Sequence, residues 1–307
     1  VTVEAAYAAC RVIAKREAKN FYYSFRVLPQ AKSDAMCAVY AFMRKADDLA
    51  DDESLSVEAR RVAMAEWLEA WRAARAGGET EDPVFVALGD AQRRFGISDG
   101  LLEDLVRGTT LDLEEWQEGV AAVEVRGETY QVYETFDGLY RYCYLVASVV
   151  GLVCIKVFGY SDPAAEKLAE ETGIAFQLTN ILRDVKEDAD RGRVYLPLDD
   201  MRNAGADVEQ VVVASGGGLV GRGVRFLMVR EGDRAKAYYR SAEALLPMID
   251  AESRAALWVM ATIYRRLLEK IAAKGYPVTE RVGLSTVEKL SILAQGALMA
   301  RRLKGAR

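Results

Sequence analysis

The chain has 307 residues, 51% of them hydrophobic and 28% charged, with a formal net charge of −5, a composition that excludes a disordered chain and supports a large core. The acidic balance excludes a nucleic-acid role, which needs a dominant basic face. Histidine is absent, which excludes Ser-His-Asp and Cys-His catalysis, His-ligated metals and imidazole proton shuttles. Carboxylates, metals, Tyr, Lys/Arg or the substrate itself must carry any chemistry.

The N-terminal Val1-Thr2-Val3-Glu4 lacks a basic region followed by an apolar core, so it is not expected to be a secretory signal, and a cytoplasmic location is expected. Cys10, Cys37, Cys143 and Cys154 lie in apolar contexts without CxxC spacing, which suits buried thiols in a reducing compartment. With only six prolines and apolar residues recurring at three and four residue intervals, the pattern is helical nearly throughout. Helices are predicted over 32–52, 57–75, 84–94, 99–115, 136–157, 163–189, 234–247, 252–274 and 286–302. Asp82-Pro83 and Asp162-Pro163 read as helix starts and Ser285 with Glu288 as a capping box. The apolar run from Tyr142 to Ile155, closed by Lys156, falls short of the roughly 20 residues that span a bilayer and reads as a buried helix.

Residues 203–224, rich in glycine and valine, read as a mobile loop covering a site. Within them, Val211-Val212-Val213 followed by Gly216, Gly218 and Gly221 mimics a strand with a dinucleotide fingerprint, but the surrounding βαβ pattern is missing, so a nicotinamide site is not expected. No segment reads as a domain linker. Residues 1–307 are expected to form one all-α helical domain.

Two acidic helix ends carry the chemistry. In Arg44-Lys45-Ala46-Asp47-Asp48-Leu49-Ala50-Asp51-Asp52, Asp47 and Asp51 fall one helical turn apart, with carboxylates about 5–6 Å from each other. Acids near a helix C-terminus also oppose its partial negative charge, so the arrangement favours a bound cation. In the second end, Gln177, Asn180, Asp184 and Asp188 recur at spacings of three, four and four and align as one polar stripe, flanked by Ile181 and Leu182. Such oxygen donors suit Mg2+, which keeps waters and substrate phosphates in its octahedron. Taken together, two helices each offering a DxxxD pair suggest one metal and diphosphate site built across a bundle. A departing diphosphate leaves an allylic cation, which needs an apolar pocket with aromatic faces. Phe21, Tyr22, Tyr23, Phe25, Tyr40, Tyr142 and Tyr144 are candidates for those faces or for plain core.

These blocks, from Lys19-Asn20-Phe21-Tyr22-Tyr23-Ser24-Phe25 through Tyr40-Ala41-Phe42-Met43-Arg44-Lys45-Ala46-Asp47-Asp48 and Tyr142-Cys143-Tyr144-Leu145-Val146-Ala147 to Gln177-Leu178-Thr179-Asn180-Ile181-Leu182-Arg183-Asp184, closely resemble the squalene/phytoene synthase family. The resemblance implies an isoprenoid-synthase helical bundle with a central cavity, and head-to-head coupling of two prenyl diphosphates. By motif, Asp47, Asp51, Asn180, Asp184 and Asp188 correspond to metal-binding positions. The extra acid of Asp-Asp-Leu-Ala-Asp-Asp leaves a second register, Asp48/Asp52, open. Lys19, Asn20, Arg44 and Arg183 correspond to diphosphate contacts, and Tyr40, Tyr144 and Gln177 to positions near the reacting carbons, with Phe21 and Phe25 as substrate-lining aromatics. Tyr264 and Arg281 correspond to a C-terminal tyrosine and a basic residue that reaches back to the diphosphate.

Within the family, Phe21-Tyr22-Tyr23-Ser24-Phe25 and Tyr264-Arg265-Arg266-Leu267-Leu268 look most like presqualene diphosphate synthases of hopanoid pathways, which join two farnesyl diphosphates. Phytoene synthases, working on geranylgeranyl diphosphate, and squalene or dehydrosqualene synthases are the alternatives. The implied cofactor is Mg2+, with Mn2+ as a substitute; NADPH belongs to the squalene-forming members and is not expected here. Prenyl diphosphates are the expected partners, with peripheral membrane contact for product release, and the sequence specifies no oligomeric state. Competing readings are a terpene cyclase or head-to-tail elongation enzyme, and a non-enzymatic helical lipid-binding protein that would need no facing acids.

Overall fold

Short polar side chains start most of the helices by accepting a backbone N–H that the first turn leaves unpaired. Thr2 accepts from Ala5, Ser56 from Ala59, Asp82 from Val84, Ser98 from Leu101 and Thr135 from Gly138. In the computed structural model, which describes residues 1–18, 22, 24–113 and 119–305, these caps open α1 (Val3–Glu17), α3 (Val57–Arg75), α4 (Pro83–Phe95), α5 (Asp99–Thr110) and α6 (Phe136–Cys143). Between the first two lies α2 (Gln30–Ala50). After α6 the helix continues through a π turn (Tyr144–Ser148) into α7 (Val149–Phe158). The remaining helices are α8 (Ala164–Arg183), α9 (Val185–Asp190), α10 (Leu198–Ala204), α11 (Val208–Ser215), α12 (Arg222–Leu245), α13 (Arg254–Ala273) and α14 (Thr286–Gly305). The predicted capping box holds, with Glu288 N–H on Ser285 Oγ at 3.2 Å and Ser285 N–H on Glu288 Oε2 at 2.6 Å. The fold is all-α.

Several expectations are corrected. Helix α1 was not predicted, although Ala6, Tyr7, Cys10 and Ala14 form its buried face at helical spacing. Helix α12 starts twelve residues before the predicted 234. The glycine- and valine-rich stretch is mostly helix. Asp207 caps α11 by accepting from Gln210, and Val208, Val211 and Ala214 bury one face, so neither a strand nor a long loop forms there and only the short connections 205–207 and 216–221 are irregular. The predicted 163–189 helix breaks at Asp184, whose φ of −107° and ψ of 16° end α8 before α9 begins.

A small sheet was also not predicted. Strands β1 (Val120–Val125) and β2 (Glu128–Tyr133) pair antiparallel from Val120↔Tyr133 to Val125↔Glu128. Arg126 and Gly127 between them both have positive φ, 55° and 89°, the backbone that a two-residue hairpin turn requires. Strand β3 (Arg193–Val194) adds parallel to β2. The sheet therefore fixes the segment that follows the second acid pair.

From Phe136 to Phe158 the joined helix matches the predicted 136–157, and its 23 residues are long and apolar enough to cross a membrane by length and composition, which corrects the expectation, drawn from the Tyr142–Ile155 run alone, that it falls short. Here it is a core element. Val149, Val153, Ile155, Val157 and Phe158 are buried, while Val146, Ala147, Val150 and Gly151 face an internal cavity. Two glycines allow its close packing: a Cβ on Gly173 of α8 would lie 2.5 Å from Ser148 Cα, and one on Gly108 of α5 would lie 2.5 Å from Leu145 O. The cavity is lined mostly by the larger core, built on α1–α5 and α7, and meets a second core, built on the sheet, α8 and α12, at Phe176 and Tyr264.

Candidate active site

The cavity has a volume of about 250 Å3. Its deep wall is apolar, with Met36 and Val39 from α2, Ile155 and Phe158 from α7, and Leu245, Leu257 and Met260 from α12 and α13. On α2 the cavity-facing residues Met36, Tyr40 and Met43 lead at spacings of four and three to Asp47 and Asp51. On α8, Gly173, Gln177 and Asn180 lead in the same rhythm to Asp184. Both helices therefore run from apolar wall to acidic end along one face. Phe158 O, near the floor, accepts from Lys32 Nζ at 2.6 Å and Ser253 Oγ at 2.8 Å, which places the N-terminal ends of α2 and α13 at the floor. The C-terminal ends, with their partial negative charge, lie toward the mouth.

A second, polar pocket adjoins this one and shares Gln177 and Asn180 with it. Its wall adds Asp184, Asp188, Arg191, Arg193, Tyr142 and Tyr195. Tyr195 stacks on Tyr142 with centroids 4.8 Å apart and 19° between planes, and on Tyr133 of β2 at 6.2 Å. The hairpin thus holds this wall in place. Arg191, Arg193 and Tyr195 were not singled out from sequence; the legible signal was a pair of arginines flanking Gly192 directly after the second acid pair.

The first acid pair is electrostatically loaded. Burial, then the neighbouring Asp51, pushes the Asp47 carboxyl up to about 6, because both oppose its ionisation. The two registers differ in geometry. Asp48 turns to Arg44, Oδ1 to Nη2 at 2.5 Å, and Asp52 accepts from the Ser54 N–H and hydroxyl at 3.0 and 2.5 Å. Asp47 and Asp51 continue, at helical spacing, the α2 face that lines the cavity at Met36, Tyr40 and Met43, and Asp51, just past the end of α2, donates its N–H to Asp47 O at 2.8 Å.

In the second pair, burial and then Asp184 push Asp188 up to about 7, with Arg191 opposing. Asp184 is held by Arg183, Nε to Oδ1 at 2.7 Å, and by Arg281, Nε to Oδ1 at 3.0 Å. Asn180 donates to Gln177 Oε1 at 3.2 Å, yet its Oδ1 is buried with no hydrogen-bond partner among the described residues, as is Glu187 Oε2. Buried acceptors of this kind are costly unless a cation or donor meets them. No three acidic side chains converge on one point among the described residues, so a cation here would draw part of its shell from water or from an anionic substrate. That fits a hard ion such as Mg2+.

Of the other expected site residues, Tyr40, Phe25, Gln177 and Tyr264 line the cavity. Tyr264 stacks on Phe176, a residue missed from sequence, with centroids 4.5 Å apart and planes within 9°. Burial raises the hydroxyl pKa of Tyr40 and Tyr264, so both stay neutral. Tyr144 is half-buried against the larger core and lies outside the cavity wall, which its neighbours Val146 and Ala147 form instead. Lys19, Asn20, Phe21 and Tyr23 lie outside the described residues.

Residues 14–288 match the family model described as squalene/phytoene synthase. The chain is 35% identical over 294 residues to the phytoene synthase of Mycobacterium tuberculosis, covering 95% of this chain and 90% of that one. It is 34% identical over 313 residues to the 15-cis-phytoene synthase of Synechococcus elongatus, covering 96% and 93%. Among solved structures, a dehydrosqualene synthase in complex with a ligand superposes with a TM-score of 0.79 at 28% identity, covering 98% of each chain. The squalene synthase HpnC from Alicyclobacillus acidocaldarius superposes with a TM-score of 0.77 at 25% identity, covering 90% of this chain and 97% of that one.

Proposed function

The chain belongs to the squalene/phytoene synthase family, a family of prenyltransferases acting on prenyl diphosphates, and on that premise we propose that it condenses two geranylgeranyl diphosphates head to head to phytoene. The observation that carries this reading is an apolar cavity that joins, through Gln177 and Asn180, a polar pocket walled by Asp184 and Asp188, with Asp47 and Asp51 following the cavity residues Tyr40 and Met43 along α2. The choice of the longer substrate rests on relatives named phytoene synthase across nearly the whole chain. A second reading, farnesyl diphosphate to presqualene diphosphate or its squalene-type products, is favoured by the structural neighbours named dehydrosqualene and squalene synthase.

In this reading Asp47, Asp51, Asn180, Asp184 and Asp188 hold Mg2+, or Mn2+ in its place. The bound ion supplies charge neutralisation that lets diphosphate depart. Arg44, Arg183 and Arg281 stand beside the acids and provide donors for diphosphate oxygens. The apolar wall holds the prenyl chains and keeps water from the allylic cation. The stacked pair of Phe176 and Tyr264, with Tyr40 across the cavity, offers aromatic faces to positive charge. Gln177 and Asn180, at the junction of the two pockets, set the reacting carbon between chain and head group.

The test is incubation with Mg2+ and each prenyl diphosphate, with and without NADPH, followed by mass analysis of products. Phytoene from geranylgeranyl diphosphate supports the first reading; presqualene diphosphate or squalene from farnesyl diphosphate alone replaces it with the second. Absence of diphosphate release from both substrates, or release that survives Asp47→Ala and Asp184→Ala, would sink both.

A further inference from the structure

Two locally unfavourable residues meet between α12 and the end of α13. Gly232 lies in the interior of α12, where glycine costs helix stability. Tyr276 holds φ at 56°, the left-handed backbone that a bulky L-residue seldom adopts. Each accounts for the other. A Cβ on Gly232 would lie 2.2 Å from Tyr276 Oη, 2.4 Å from its Cζ and 2.5 Å from its Cε1, so the tyrosine ring rests directly on the backbone of α12. Tyr276 is buried, and its hydroxyl has no hydrogen-bond partner among the described residues. A buried hydroxyl left in that state costs stability, so it is the ring and not the polar atom that holds the residue there.

The end of α13 does not by itself require this arrangement. Gly275, with φ of 75°, completes an ordinary left-handed helix stop, in which Gly275 N–H meets Ala272 O at 2.9 Å and Tyr276 N–H meets Ile271 O at 3.0 Å. The second left-handed residue, Tyr276, redirects the chain that leaves the helix. From Pro277 to Leu284 that chain makes no backbone-to-backbone hydrogen bond among the described residues. Side chains hold it instead: Val278 and Val282 are buried, Glu280 meets Lys274 Nζ at 2.9 Å, and Arg281 meets Asp184 at 3.0 Å. A segment with so few fixed points takes its direction from its root.

We propose that Tyr276 is a positioning residue: wedged on Gly232, it aims the segment that follows so that Arg281 reaches the second acid pair. Breaks of local preference of this kind persist where surrounding packing enforces them, and they gather at sites that use the geometry. Tyr276 acts through Arg281 and not on the reacting atoms. Its effect on substrate binding rests on the proposed function, whereas the placement of Arg281 does not.

Limited trypsinolysis of the full chain reads that placement without turnover. Cleavage after Arg281 is expected to quicken about tenfold relative to cleavage at other arginines in Tyr276→Gly, which spares the backbone and deletes the ring, and in Gly232→Ala, which displaces the ring. Tyr276→Phe is expected to match the wild type, since the ring stays. With Mg2+ and prenyl diphosphate, well below each variant's melting point, Tyr276→Gly and Gly232→Ala are expected to raise KM about tenfold while kcat changes about twofold at most. In an Arg281→Ala background neither raises KM further, because a residue acting through Arg281 then has nothing left to place. Cleavage that quickens equally at all arginines, a further rise of about tenfold in KM in the double variants, or a Tyr276→Phe chain as impaired as Tyr276→Gly would each overturn the proposal. Cleavage quickened only after Arg281, in a chain whose wild type turns over no prenyl diphosphate, would uphold the placement and refute the proposed reaction instead.

Discussion

Arg281 Nε lies 3.0 Å from Asp184 Oδ1, so the segment between α13 and α14 is tied directly to the second acid pair. Because Arg281 is 55% exposed, the ion pair adds little to stability. Its value is placement: a guanidinium that neutralises Asp184 now and can turn to a diphosphate later. Arg281→Ala is expected to leave the melting temperature within about 1 °C of wild type while raising KM for the prenyl diphosphate about tenfold or more. Arg281→Lys should recover part of that loss, since charge returns without the planar fork.

Asp47 and Asp188 give the folded protein a pH dependence of defined sign. Both carboxyls are pushed above the ordinary 3.8, to about 6 and about 7, by burial and then by the adjacent Asp51 and Asp184. Over that window the folded chain holds protons that the unfolded chain has released, so stability falls as pH rises through it. In chelator, the melting temperature should decline between about pH 4 and about pH 8, and Asp188→Asn should flatten the upper part of the decline. Mg2+ should raise the melting temperature more at the upper end, where both acids are ionised, than at the lower. An equal Mg2+ effect across the range would place the ion elsewhere.

Much of this site was legible because its parts are periodic. The stripe Gln177, Asn180, Asp184 and the turn Asp47 to Asp51 announce one helix face each, and the end of α2, expected at 52 and found at Ala50, is legible within two residues from its acids. The break at Asp184 was not readable, because α9 resumes with helical residues at once and only the backbone angles mark the change. Strands β1 and β2 escape the sequence reading since six-residue segments are too short to compete with a helical chain, and β3, which pairs with β2, lies some sixty residues on. Arg193 and Tyr195 became site residues only through that pairing. The valines before the glycines at 216–218 look like loop or strand by composition, but Asp207 caps them into a helix.

Gly173 tests the cavity wall. A Cβ there would meet Ser148 Cα at 2.5 Å and Ser148 N at 2.7 Å, backbone atoms of the π turn that cannot rotate away. Ordinarily alanine in place of a helical glycine stabilises by about 1 kcal/mol. Gly173→Ala should instead destabilise by about 1–3 kcal/mol, lowering the melting temperature by several degrees, and should reduce turnover by displacing Val146 and Ala147 into the cavity. Gly89→Ala, whose Cβ would meet only Arg93 Nη1 at 3.6 Å, is the control and should hold or raise stability.

Asp200 anchors the wall of the polar pocket from behind. It is 2% exposed and bridges Arg230 at 2.8 Å and Arg234 at 2.7 Å, while Arg234 also meets Glu231 at 2.6 Å and lies 3.9 Å over the Phe136 ring. Burial pushes Glu231 up to about 7, with Arg234 opposing and Asp200 adding to the rise, so without Asp200 the Glu231 carboxyl ionises more readily and is left as the acid that holds Arg234. Asp200 lies in the first turn of α10, five residues after Tyr195, and it fixes where the segment carrying Arg193 and Tyr195 leaves the sheet. Asp200→Ala should cost about 3–5 kcal/mol, the usual consequence of removing one partner of a buried pair. Activity measured well below the new melting point should also fall, with KM rising more than kcat drops, because Arg193 loses its placement while Asp47 and Asp51 keep theirs. A variant that melts early yet binds substrate normally would show that Asp200 serves the fold alone.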